Sequence, residues 1–117
     1  MVPVALQGPD LAPLSEIVST LNERFGLNLD ERDQLLFDQF EQTWLADPEV
    51  VAQARGNSLD NFRLVFDRRF LKTVVGRMDD NEAIFKRMLD DPDFQTALMD
   101  LFSTRVYQQA RKGDEGG

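Results

Sequence analysis

The sequence predicts an all-α protein, a compact bundle of about six helices around a long central helix at about residues 58–78, with no sheet. Three observations predict it. Apolar side chains recur at helical spacing in one segment after another. Helix punctuation separates the segments: Gly26, the Asp47-Pro48 and Asp91-Pro92 pairs, and the acidic turn Asp79-Asp80-Asn81. No run alternates apolar with polar residues and β-branched enrichment, the pattern of a half-buried strand.

Residues 1–12 hold two Pro, one Gly and no periodicity, so they are expected to be a disordered or adaptor segment. Pro13 suits a first helical position. From there Leu14, Ile17, Val18, Leu21 and Phe25 form a one-sided stripe, the mark of an outer helix, and Gly26 supplies the stop. Asp30 opens the next helix, with Asp33 as the acidic partner of a capping box, and Leu36, Phe37, Phe40 and Trp44 face inward. Asp47 caps a short third helix with Pro48 at its first position, and that helix ends at Gly56.

Asn57 or Ser58 caps the long fourth helix. Leu59, Phe62, Phe66, Phe70 and Val74 make one apolar stripe, and Leu64, Leu71, Val75 and Met78 make another. A helix apolar on most sides must be enclosed by neighbours, so this one is expected at the centre. Arg68, Arg69 and Lys72 occupy its polar sector, and Arg63 and Asp67, four apart, are expected to pair with each other or with a neighbouring helix. Asp79 and Glu82 offer caps to a fifth helix carrying Ile84, Phe85, Met88 and Leu89. Asp91-Pro92 starts the sixth, whose face is Phe94, Ala97, Leu98, Leu101, Phe102 and Val106, running to about Arg111. One helical domain over 13–111 and a frayed tail at 112–117 complete the expected organisation.

Composition narrows the function. A chain of 117 residues is one domain by length. It has no His, which removes the commonest general base, the Ser-His and Cys-His nucleophile pairs and imidazole metal ligands. It has no Cys, which excludes a disulfide scaffold and fits a reducing cytoplasm. No window approaches the ~18 uninterrupted apolar residues of a membrane span, and the N-terminal residues lack the form of a signal peptide. The net charge of −8 is uneven. Residues 1–50 hold ten acids and two bases, residues 51–77 two acids and six bases, and residues 78–117 nine acids and five bases. An acidic chain is poorly suited to bind duplex DNA alone, whereas patterned charge suits a protein partner.

No catalytic constellation emerges. Asp90, Asp91 and Asp93 are more simply a helix cap with charges favoured by the helix dipole than a metal site. The sequence from Asp79 to Ile84 lacks the glycine and the ligands of a calcium loop. There is no phosphate-binding Gly-x-x-x-x-Gly-Lys and no Glu-x-Lys or Asp-x-Lys of a metal-dependent nuclease. The candidate contact surface is the basic group Arg68, Arg69 and Lys72, joined by Arg77, Lys86 and Arg87, against the simpler reading of a solvated helix face. Arg105 lies within the apolar arc of the last helix, where an arginine is either ion-paired and structural or a contact for another domain.

The segments NSLDNFRLVFDRRF (57–70), RMDDNEAIFKRMLDDPDF (77–94) and RVYQQAR (105–111) resemble the C-terminal helical region of the R subunits of type I restriction-modification enzymes. PLSEIVSTLNERFG (13–26) and LDERDQLLFDQF (29–40) match that region in kind and order, so the likeness spans roughly Pro13 to Arg111. These are packing and capping motifs. The family joins a nuclease and an ATP-driven DNA translocase to such a helical part, and none of the nuclease or ATPase motifs has a counterpart here. The resemblance therefore implies a non-catalytic docking domain that attaches the motor to the methyltransferase core. Implied partners are the methyltransferase and specificity subunits and the motor domains of the same subunit. DNA is met only through the assembled complex, or, as the alternative, through the basic face of the long helix. ATP and magnesium are implied only for the parent subunit's other domains, and no cofactor for this chain.

Overall fold

The computed structural model describes residues 13–77, 79 and 82–116. Among them the chain forms six helices and no strand: α1 (Leu14–Phe25), α2 (Glu31–Leu45), α3 (Pro48–Gly56), α4 (Leu59–Gly76), α5 (Glu82–Asp90) and α6 (Pro92–Gly116). The expected all-α bundle is therefore the observed one. The segment at 1–12 lies outside the described residues, as do Met78 and, from the acidic turn expected ahead of α5, Asp80 and Asn81.

The helix ends follow local chemistry. Gly26 takes a left-handed φ of 64°, and a side chain there would be strained. Asn22 then pins the connection to α2, accepting from the Leu29 N–H at 2.7 Å and donating to the Leu29 carbonyl at 3.0 Å. Asp30 accepts from the N–H groups of Arg32 and Asp33 while Asp33 accepts from the Asp30 N–H, which completes the capping box. Asp47 caps α3 ahead of Pro48, Ser58 caps α4 through the Asn61 N–H, and Asp91 accepts from the N–H groups of Asp93 and Phe94 at the start of α6. Of the two candidates for the α4 cap, Ser58 holds the position.

One aromatic cluster holds the bundle together. Trp44 of α2 packs edge-on to Phe66 of α4 at 4.9 Å between centroids and to Phe102 of α6 at 5.4 Å. Phe37 meets Phe102 from the other side, and Phe62, Phe66 and Phe70 run on from one another along α4. The Trp44 Nε1–H donates to Thr73 Oγ1 at 2.9 Å, so the indole is buried without an unsatisfied donor.

The central element differs from the expected one. α6 packs against α2, α3, α4 and α5, and Phe94, Leu98, Phe102, Val106 and Ala110 form a continuous buried line along it. α4 buries only Phe62, Phe66, Phe70 and Val74, while Leu64, Leu71 and Val75 of its second stripe are 72%, 38% and 50% exposed. A helix's place in the bundle depends on how many neighbours reach each of its sides, and none of the described helices covers this side. The last helix also continues past Arg111 to Gly116. Contacts with α3 tie this end down: Arg55 Nε donates to the Ala110 carbonyl at 3.0 Å, and Arg111 Nη1 donates to the Ala54 carbonyl at 3.2 Å.

Candidate functional site

The outward face of α4 is the most distinctive surface among the described residues. At about 100° per residue, Leu64, Leu71 and Val75 fall within roughly 40° of one another and about 160° from the mean direction of the buried phenylalanines. Val65 flanks them, so four of the six exposed large hydrophobic side chains belong to this one helix. Scattered apolar residues on a surface need no explanation, but a stripe along a single helix face is a candidate contact surface. Asn61, Arg68 and Lys72 are exposed on the same face, with Asp60 and the half-buried Asp67 along its other edge.

The basic residues singled out from the sequence do not form one patch. Arg69 reaches back to the start of α3, with Nη1 2.8 Å from Asp47 Oδ2 and Nη2 2.8 Å from Glu49 Oε2. The Glu49 hydrogen bond, with the charges of Asp47 and Glu49, raises the Arg69 pKa further, and the guanidinium bridges the start of α3 to α4. Arg77 donates to Gln39 Oε1 at 3.1 Å. Arg87 donates to the Phe25 carbonyl at 2.9 Å and pairs with Asp91 at 3.4 Å, joining α1, α5 and the start of α6. Arg68, Lys72 and Lys86 remain exposed and without an ion-pair partner among the described residues, and only Arg68 and Lys72 share the apolar face.

Arg105 is an interior residue, and its place in the contact set is corrected accordingly. It is 8% exposed and pairs with Glu41 of α2, itself 2% exposed, through Nε–Oε2 and through Nη2–Oε1 at 3.3 Å. Gln109 donates to the same carboxylate at 3.1 Å. Glu41 was not picked out from the sequence, although it sits one residue after Phe40, four after Phe37 and three before Trp44, inside the apolar arc of α2. Two opposite charges inside two apolar arcs were the sign that they meet.

Arg63 and Asp67 do not simply pair along α4. Arg63 turns to α6, where its Nε lies 3.7 Å from Asp100 Oδ1 and its Nη2 donates to Thr104 Oγ1 at 3.3 Å. Burial, then the nearby charge of Asp100, raises the Asp67 pKa above the usual aspartate value, and Arg63 offsets part of that rise.

Other concave regions are open and chemically plain. A groove of about 580 Å³ between α1 and α6 is lined by the apolar Ile17, Ala97 and Leu101 and the charged Arg24, Asp93 and Asp100, among others. A cleft of about 320 Å³ beside Trp44 is lined by Asp47, Arg69, Lys72 and Arg77, with Arg69 already neutralised by Asp47. Among the described residues no group of three or more Asp or Glu is placed to hold a metal ion, and no helix is long and apolar enough to cross a membrane. Comparison with protein-family models, with curated proteins and with solved structures found no match.

Proposed function

We propose that the chain is a non-catalytic docking domain whose contact surface is the outward face of α4. The observation that carries this reading is the exposed Leu64–Leu71–Val75 stripe on a helix held rigidly from behind by buried aromatics. Such a face gains free energy only when another surface covers it, at about 25 cal/mol per Å² of apolar area removed from water. The resemblance to the C-terminal region of type I restriction R subunits supplies the partner: the methyltransferase core with its specificity subunit, in the cytoplasm. The domain would fasten the ATP-dependent translocase and nuclease to that core, next to the motor domains of its own subunit. ATP and magnesium serve those other domains, and DNA is reached through the assembled complex.

Direct contact with DNA has less in its favour. Of the basic group only Arg68 and Lys72 stay on the face, and Asp60 and Asp67 balance them. A phosphate-tracking surface needs a net positive field.

Capture of the methyltransferase complex by this chain tests the proposal. Binding at micromolar concentration that is lost in Leu64→Glu and Leu71→Glu chains, both still helical by circular dichroism, is the expected result. Failure of the unaltered chain to capture the complex, or turnover of ATP by the chain alone, would overturn it.

A further inference from the structure

The outward face of α4 has a heptad register that specifies a second occupant. Leu64 and Leu71 are seven residues apart, as are Asn61, Arg68 and Val75. Placing the leucines at d puts Asn61, Arg68 and Val75 at a, which is the seam spacing of a two-stranded coiled coil. Of the domain's own core residues, Phe62, Phe66 and Phe70 then fall at b, f and c, behind the seam, and Val74 falls at g, so the bundle stands clear of an approaching helix except along the g flank at Val74.

The flanks decide orientation. Asp60, Asp67 and the buried Val74 occupy g, and Val65 and Lys72 occupy e. In a parallel pair a g residue meets the e residue five positions on in its neighbour, which brings Asp67 against Lys72 of a second copy, twice by symmetry. In an antiparallel pair g meets g and e meets e, so aspartates oppose aspartates. Complementary e and g charges are what select partner and direction in such seams. The four charges of the face cancel (Asp60, Asp67, Arg68, Lys72), so this patch is neutral although each chain carries −8. A polar residue at an a position weakens a seam while fixing its register; Asn61 and Arg68 are two of the three a positions here, and in the parallel pair Arg68 meets Arg68 of the second copy, which keeps the association weak.

We propose that α4 packs in parallel, in register, against α4 of a second copy, forming a weak two-fold dimer through Leu64, Leu71 and Val75 with Asp67–Lys72 pairs on both flanks. The position of Asp67 beside Asp100, only partly balanced by Arg63, leaves it receptive to that added cation. The inference rests on the reading of this face as a docking surface but not on the identity of any other partner.

Sedimentation equilibrium of the full chain, from micromolar to millimolar concentration, tests it together with two charge reversals. The unaltered chain should show a concentration-dependent dimer. Asp67→Lys alone and Lys72→Asp alone should each weaken it, by roughly tenfold. Mixing the two variants should restore association as a heterodimer, because each then meets an opposite charge. Leu64→Cys should form a disulfide-linked dimer on mild oxidation, a clean readout in a chain with no other cysteine. A monomer throughout, or variants whose mixture behaves like each alone, would overturn the pairing. A monomer that still captures the methyltransferase complex removes the pairing and keeps the docking function. A dimer that captures nothing does the reverse.

Discussion

Along one side of α4, Phe62, Phe66, Phe70 and Val74 are buried against α2 and α6; along the other, Leu64, Leu71 and Val75 meet solvent. Both lines are apolar, both have helical spacing, and they alternate within the same eighteen residues. The aromatic line has partners on two helices, Trp44 of α2 and Phe102 and Tyr107 of α6, whereas none of the described helices covers the aliphatic line. Periodicity therefore tells how many faces a helix has for burial and not which of them its own chain will cover. A second apolar face left open on a helix so firmly packed adds little to the fold of the monomer, and under the proposed function it serves assembly.

Truncation on the two faces should separate them most sharply. Phe66→Ala and Phe102→Ala each remove a fully enclosed ring from the cluster around Trp44 and should cost about 3–5 kcal/mol in urea unfolding. Leu64→Ala, two residues from Phe66, should stay within about 0.5 kcal/mol of the unaltered chain. Comparable losses at Phe66 and Leu64 would mean that the aliphatic line is covered within the folded monomer.

The buried pair between α2 and α6 comes next. Glu41→Ala leaves the Arg105 guanidinium in the interior without its carboxylate and should cost about 3 kcal/mol or more. Replacing both, as Glu41→Met with Arg105→Leu, should recover most of that loss, since two well-packed apolar groups need no compensation. A double variant as unstable as the single one would show that the pair is required in itself, as part of the network with Gln109.

Several features were legible in the residues for a clear reason. Caps are local chemistry, so Asp30 with Asp33, Asp47 before Pro48, and Asp91 before Pro92 declared their helices directly. The inward faces of α1 and α2 followed from one-sided stripes, with Leu36, Phe37, Phe40 and Trp44 all buried. The centre of the bundle was not legible, because it depends on which helices reach which sides, a property of the packed chain. The contact surface was half legible. The polar sector of α4 was found, but Arg69 meets Asp47 22 residues away, Arg105 meets Glu41 64 away, and Arg87 meets Phe25 62 away besides Asp91 four away, so these contacts lie mostly beyond the reach of local spacing. Once those arginines turn inward, the apolar stripe beside Arg68 and Lys72 is what remains outside.

Asp67 stands at the border of the two faces and gives the smallest effect. Burial and Asp100 raise its pKa in the folded chain, so ionising it disfavours folding. That cost is fully present at pH values above the folded pKa and fades as the pH falls through that value toward the unfolded one. Asp67→Asn should therefore stabilise the monomer at neutral pH by a few tenths of a kcal/mol, reduced by solvent screening, and the gain should vanish in acid. The same change removes one charge from each flank of the α4 pair, so it should weaken self-association at the pH where it strengthens the fold. Urea unfolding at low protein concentration and sedimentation at high concentration read the two separately. A variant that loses stability and association together would place Asp67 among the residues that hold the monomer and not at its outer edge.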